Sequence, residues 1–163
     1  MKLTQTPRER LVATAAKLFY ERGLPNVGIN EVTERAGIAR MTLYNNFVSK
    51  EELALAAFEH QAERRRAMIV KQSNCRRSAS GKLQALFDVA ESLAREPAFC
   101  GCAFINFALQ QPDSKSRLHA LAREHKAWIR TYIQTLAETA GARGSARLAQ
   151  QILALWDGAI VET

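Results

Sequence analysis

Residues Ile29–Phe47 read INEVTERAGIARMTLYNNF, two short half-apolar segments parted by a glycine. Ile29, Val32 and Ala36 recur at helical spacing and predict a helix over 29–36. Gly37 supplies the break, since glycine enters the left-handed backbone that ends a helix tightly, and Ile38 can plug inward. Leu43 and Phe47 lie four apart, on one face of a third short helix running from about Arg40 to Phe47. Two short helices joined by a three-residue turn with glycine make a helix-turn-helix.

Working outward, Thr6-Pro7-Arg8-Glu9 combines a hydroxyl N-cap, proline at the first helical position and glutamate at the third, a capping box. Leu11, Ala15, Leu18 and Phe19 then predict a first helix that Gly23 closes and Pro25 keeps from continuing. Downstream, Ser49-Lys50-Glu51-Glu52 is a second capping box and starts a fourth, longer helix. That helix is apolar early (Leu53, Ala56, Ala57) and charged from Glu59 to Arg66, the pattern of a helix bridging two domains.

SNCRRSASG, Ser73 to Gly81, reads as a linker. Beyond it Leu83, Leu86, Phe87, Ala90 and Leu93 form an amphipathic stripe ending before Pro97. AFCGCAFINFALQ, residues 98–110, is apolar almost all round and predicts a fully buried helix. Pro112 and Asp113 punctuate. A long helix carries Leu118, Leu121, His125, Trp128, Tyr132 and Leu136 and stops at Gly141; a last one carries Leu148, Ile152, Leu155, Trp156 and Ala159. The expected fold is all-α. Residues 1–49 are read as a three-helix DNA-binding domain, 50–77 as connecting helix and linker, and 78–163 as a helical regulatory domain lacking a final helix.

Composition narrows the function classes. The chain has 163 residues, 47% of them apolar, with 8 glycines and 4 prolines, which suits a helical protein with a real core. No apolar run reaches the ~18 residues of a membrane span, and MKLTQTPRERL lacks the apolar stretch of a secretory signal. Three cysteines make no disulfide framework, so a reducing cytoplasm is expected. The net charge is +7, of which residues 1–77 carry +6. A basic excess so placed points to a polyanion, nucleic acid before anionic membrane, although a merely solvated basic face has the same composition. There is no Gly-rich phosphate loop, HExxH pair or nucleophile elbow. Neither an enzyme nor a cofactor is expected.

Residues 10–53 resemble the DNA-binding domain of the TetR/AcrR family of bacterial transcriptional regulators. The resemblance rests on Ala15, Ala16, Leu18, Phe19 and Gly23, on Ala36-Gly37, on Thr42-Leu43-Tyr44 with Phe47, and on Ser49-Lys50-Glu51 with Leu53. Weaker similarity to regulatory domains of the family runs through Gly101–Phe104 and Trp156–Ala159. It implies a cytoplasmic homodimer that binds double-stranded DNA at a palindromic operator and is released by a small-molecule effector, most often as a repressor. No membrane partner is implied.

A recognition helix enters the major groove when one face anchors it and the other offers polar groups to bases. Leu43 and Phe47 are the expected anchors; Arg40 and Thr42 can reach base edges, and Met41 a thymine methyl. Tyr44 and Lys50 resemble the family's phosphate-contacting positions, and Asn30 stands where the family often touches DNA. Departures matter too. Val27 and Gly28 stand where small hydroxyl residues usually open the second helix, leaving only the Gly28 amide to serve. Ala39 replaces a common serine, weakening that cap by about 1 kcal/mol. Met41 replaces a frequent glycine, and Asn45-Asn46 a frequent histidine pair, so the operator sequence is particular to this protein.

For the effector, the candidate pocket residues are Phe104, Phe107, His125, Trp128 and Tyr132, set against the plainer reading that such a stripe is simply core. Cys100 and Cys102 invite a redox or metal reading, but cysteine in an apolar segment is commonly just buried. Cys75, beside Arg76 and Arg77, is the more exposed thiol. A sequence-indifferent DNA-coating protein is the rival use of the same basic head, disfavoured by the large helical second half.

Overall fold

The computed structural model describes residues 5–110 and 113–161. Among these residues there are eight helices and no strand: α1 (Pro7–Arg22), α2 (Ile29–Ala36), α3 (Arg40–Asn46), α4 (Lys50–Asn74), α5 (Ala79–Ala94), α6 (Ala103–Gln110), α7 (Arg117–Thr139) and α8 (Ser145–Val161). Pro112, expected to punctuate, lies outside the described residues. No helix of the described residues is long and apolar enough to cross a membrane.

The chain divides into two compact units. One takes the residues up to Ala62 with Asn106–Leu121, and the other Glu63–Ile105 with the residues from Ala122 onward. The dividing lines thus fall inside α4, α6 and α7, whereas the sequence boundaries drawn above fall at residues 49/50 and 77/78.

In the first unit, α1, α2 and α3 pack against one another. Thr6 and Glu9 cap α1 reciprocally: the Glu9 amide donates to Thr6 Oγ1 at 3.2 Å and the Thr6 amide to Glu9 Oε2 at 2.8 Å. At α4 the second capping box is half realised. The Glu52 amide donates to Ser49 Oγ at 3.1 Å, but the Glu52 carboxylate reaches one residue further back, accepting from the Val48 amide at 2.6 Å. Leu11, Leu18, Phe19, Val27, Val32, Leu43, Phe47, Leu53 and Phe58 form the core. Each such side chain contributes about 1.5–3 kcal/mol by leaving water. Phe107 meets Phe58 edge-on, and the Leu24 amide donates to Gln110 Oε1 at 3.2 Å.

In the second unit α5 packs on α8. Leu86, Val89 and Leu93 are buried on α5, and Ala149, Trp156 and Ile160 on α8. The indole N–H of Trp156 donates to the Leu86 carbonyl at 3.0 Å, and Lys126 pairs with Asp157 while its ammonium lies 5.5 Å from the Trp156 ring centroid.

Three expectations need correction. The proposed linker is mostly helix, leaving only residues 75–78 between α4 and α5. Its small polar residues act as fasteners: Ser78 caps α5 by accepting the Gly81 amide at 3.1 Å, and buried Ser73 donates to the Lys82 carbonyl at 3.4 Å. The segment 98–110 is not one buried helix. Gly101 turns the chain at φ 79°, helix begins only at Ala103, and Leu109 is 81% exposed. On α8, Leu155 and Ala159 face outward, while Ala149 and Ile160 join Trp156 inside. An all-apolar helix face leaves the inward direction undetermined until a neighbour is present.

Replacing Trp156 by phenylalanine removes the bond to Leu86 and part of the ring. Urea denaturation should register a loss of about 1–3 kcal/mol; an unchanged midpoint would mean that the indole adds nothing to the α5–α8 contact.

Candidate functional site

The turn Gly37-Ile38-Ala39 sets the course of α3. Gly37 takes φ 61° and ψ 40°, and the Ile38 amide donates to the Thr33 carbonyl at 2.9 Å. A Cβ at Gly37 would be strained by that backbone and would sit 3.0 Å from Arg10 Nη2. The same Arg10 nitrogen donates to the Ala36 carbonyl at 2.5 Å, tying α1 to the end of α2. Glu31 of α2 pairs with both Arg22 and Arg35. Neither Gly28 nor Ala39 supplies a side-chain cap to the helix it precedes.

The helix α3 then divides into two faces. Leu43 is fully buried, as is Phe47 just past the helix, whose amide donates to the Leu43 carbonyl at 2.9 Å. Arg40, Met41, Tyr44 and Asn45 are exposed, Met41 at 71%. Thr42 and Asn46 are half-buried, and Asn46 Nδ2 donates to the Thr42 carbonyl at 2.7 Å, so that amide is already engaged. Arg40 lies along Tyr44, its guanidinium carbon 5.6 Å from the ring centroid and Nη2 3.4 Å from the phenol oxygen. Lys50 is half-buried at the start of α4, and Arg8 stands 5.1 Å above the Phe47 ring. Gly28 and Asn30 are exposed at the start of α2, with nothing within 4 Å of where a Gly28 Cβ would stand, whereas Val27 is wholly buried.

Sequence reasoning passed over two residues at this surface. Val48 is 88% exposed beside Phe47, where the backbone turns from helix to extended, and no sequence pattern marked it. Arg8 was read only as part of a cap.

Such an exposed, partly basic helix on a buried two-residue anchor has counterparts in known proteins. Residues 11–57 match the family of bacterial regulatory proteins, tetR family. A TetR transcriptional regulator from Chloroflexus aurantiacus superposes with a TM-score of 0.84 at 33% identity, over 96% of this chain and 83% of that one. The chain belongs to the TetR family of transcriptional regulators. A TetR-family regulator from Streptomyces coelicolor is similarly close, with a TM-score of 0.87 and 29% identity over 95% of this chain and 82% of the other. The transcriptional activator FasR of Mycolicibacterium smegmatis is 32% identical over 89 residues, 52% of this chain. The match spans only 40% of FasR's own length. TetR-family proteins are transcription regulators and not enzymes.

In this TetR-family regulator the five candidate pocket residues separate into two groups. Phe107 belongs to the first unit, in its contact with Phe58. The other four lie in the second: Phe104 stacks on His125 with centroids 3.8 Å apart, and Trp128 stacks on Tyr132 at 5.3 Å. His125 is 1% exposed, and Trp128 and Tyr132 are half-buried. Cys100 is exposed and Cys102 buried, both as free thiols, and the Cys75 thiol is exposed with its Sγ 3.4 Å from the Lys71 carbonyl. Among the described residues no group of three or more His, Cys, Asp or Glu side chains could hold a metal ion.

Burial, and then the positive charges of Lys126, Arg66 and Arg65, lower the His125 pKa to about 3. The unfolded chain binds this proton near 6.5, so between those values the unfolded state holds more protons than the folded one. Stability is therefore complete above 6.5 and falls as pH drops below it, by about 1.4 kcal/mol per pH unit for a single group. Urea titrations at pH 7, 6 and 5 should show that slope shrinking in a His125→Phe variant; an identical slope in both proteins would rule out His125 as its source.

Proposed function

We propose that this protein is a ligand-responsive repressor that binds a palindromic DNA operator as a homodimer and is released by a small-molecule effector in the cytoplasm. The observation that carries the reading is α3 itself, held by Leu43 and Phe47 while Arg40, Met41, Tyr44 and Asn45 stand free of the core. Arg40 and Thr42 are assigned to base edges and Met41 to a thymine methyl. Tyr44 and Lys50 are assigned to phosphates, with the Gly28 amide and Asn30 at the start of α2 as further contacts. Of the two asparagines, Asn45 is the better base reader, because the Asn46 amide is held by Thr42. Arg40 and Tyr44 enter as a stacked pair, each limiting the other's freedom.

One short helix reads too few bases for specificity, so two copies are required. The outward residues Leu155, 67% exposed, and Ala159, four apart on α8, support a face for the second copy. Repression needs only that binding obstruct a promoter. FasR is named an activator, and a promoter–reporter assay in cells with and without the protein decides the direction.

Selection of bound DNA from a random pool should recover a pseudo-palindrome, with affinity falling steeply as salt rises. Binding to the upstream region of its own gene no tighter than to random DNA of equal length would sink the proposal. In such an assay Tyr44→Ala should weaken binding to all sequences alike. Arg40→Ala should relax preference at one position by about 1–3 kcal/mol.

Leu155→Glu should shift the mass measured by sedimentation from dimer to monomer and weaken binding to the two-half-site DNA far more than to a single half-site. A variant that sediments like wild type would place the contact between copies elsewhere.

A further inference from the structure

Two fully buried polar atoms in the second unit bond to nothing among the described residues: Nδ1 of His125 and Nε of Arg66. The Arg66 charge acts on His125, and each of the two side chains sits against an aromatic ring. The Arg66 guanidinium carbon lies 5.4 Å from the Trp128 ring centroid, and Trp128 stacks on Tyr132. His125, three residues before Trp128 on α7, stacks on Phe104. Beyond the Trp128 ring, Arg66 has no ion pair or hydrogen bond among the described residues. Three carboxylates of the same unit are committed to other cations, Asp88 to Arg76, Glu91 to Arg95 and Asp157 to Lys126.

Folded proteins seldom leave buried polar atoms unmet, since each costs about 1–3 kcal/mol, more when the group is charged. Two such atoms on interacting side chains define a shared demand. The Arg66 Nε–H can only donate, and His125 donates as well when its neutral ring carries the proton on Nδ1. Both call for an acceptor. The charges that act on His125 are positive, those of Lys126, Arg66 and Arg65, and of these Lys126 is already paired with Asp157. An oxyanion meets the demand of both donors, and a carboxylate suits an arginine particularly well. The half-buried rings of Trp128 and Tyr132 suit an apolar body attached to it.

We propose that Arg66 and His125 receive the carboxylate of a small amphipathic acid whose apolar part rests on Trp128 and Tyr132. The proposal rests on the reading of this protein as effector-responsive and names the effector's chemical class.

Calorimetry on the full chain with three matched pairs tests it: 4-phenylbutyrate, 1-naphthaleneacetate and decanoate, each against its primary amide. At least one acid should bind about tenfold or more tighter than its amide, the scale of a charge-assisted pair. Arg66→Met and His125→Phe should abolish that preference without lowering the melting temperature, since each removes an unmet buried group, and Arg66→Lys should recover part of it. A purely structural role for Arg66 would instead lower the melting temperature of Arg66→Met. Failure of all three acids to bind, equal affinity for acid and amide, or a preference that survives Arg66→Met overturns the proposal. DNA release, followed separately by fluorescence anisotropy on the selected operator, distinguishes the two readings. Acid binding without release upholds this site and sinks effector control; release by neutral compounds with no preference for acids does the reverse.

Discussion

The burial of Leu43 and Phe47 beneath α3 is the constraint on which the first unit depends. Both side chains are essentially without solvent contact, and α3 has only seven residues. A helix so short does not hold itself together in water, because nucleation costs more than a few backbone bonds return. Its stability is borrowed from packing on α1 and α2. The anchor thereby settles which way every other α3 side chain faces. With Leu43 inward, Arg40, Met41, Tyr44 and Asn45 are left outward, outside the buried core. Such a surface can change its side chains without opening that core.

The second unit presents the opposite arrangement. Elsewhere in it polar groups are met: the Trp156 indole by Leu86, Lys126 by Asp157, Ser73 by Lys82, Arg76 by Asp88. His125 and Arg66 stand apart from that bookkeeping, each against an aromatic ring, Phe104 and Trp128 respectively. A histidine serving only as core would ordinarily keep one good hydrogen bond at Nδ1. Unmet groups beside half-buried aromatic faces are what a binding surface looks like when it is built for a partner more polar at one end than the other.

Much of the frame was legible because it rests on local rules. The capping box at Thr6, the bounds of α2, the glycine turn and the anchor spacing depend on residues within one or two helical turns of each other, and the structure has them where the spacing puts them. The readings that changed turn on caps, backbone turns and packing partners that periodicity does not record. SNCRRSASG has the composition of a linker, yet Ser73, near the end of α4, bonds the Lys82 carbonyl and Ser78 caps α5. The apolar run around Cys100 is interrupted by a left-handed glycine. Phe107 and Phe104 are three residues apart on α6 but serve different units.

By itself, then, the sequence determined the all-helical class, the helix-turn-helix with its Leu43–Phe47 anchor, and the family, since these follow from periodicity, caps and a motif confined to some fifty consecutive residues. Only the tertiary structure decided which of the apolar residues of α8 turn inward, that Asn46 is held while Asn45 is exposed, that Arg40 lies along Tyr44, and that Arg66 of α4 meets the aromatic face of α7. A side chain's periodic position says which face of its helix it occupies. What waits opposite that face depends on segments far away in the chain, and no local pattern records it.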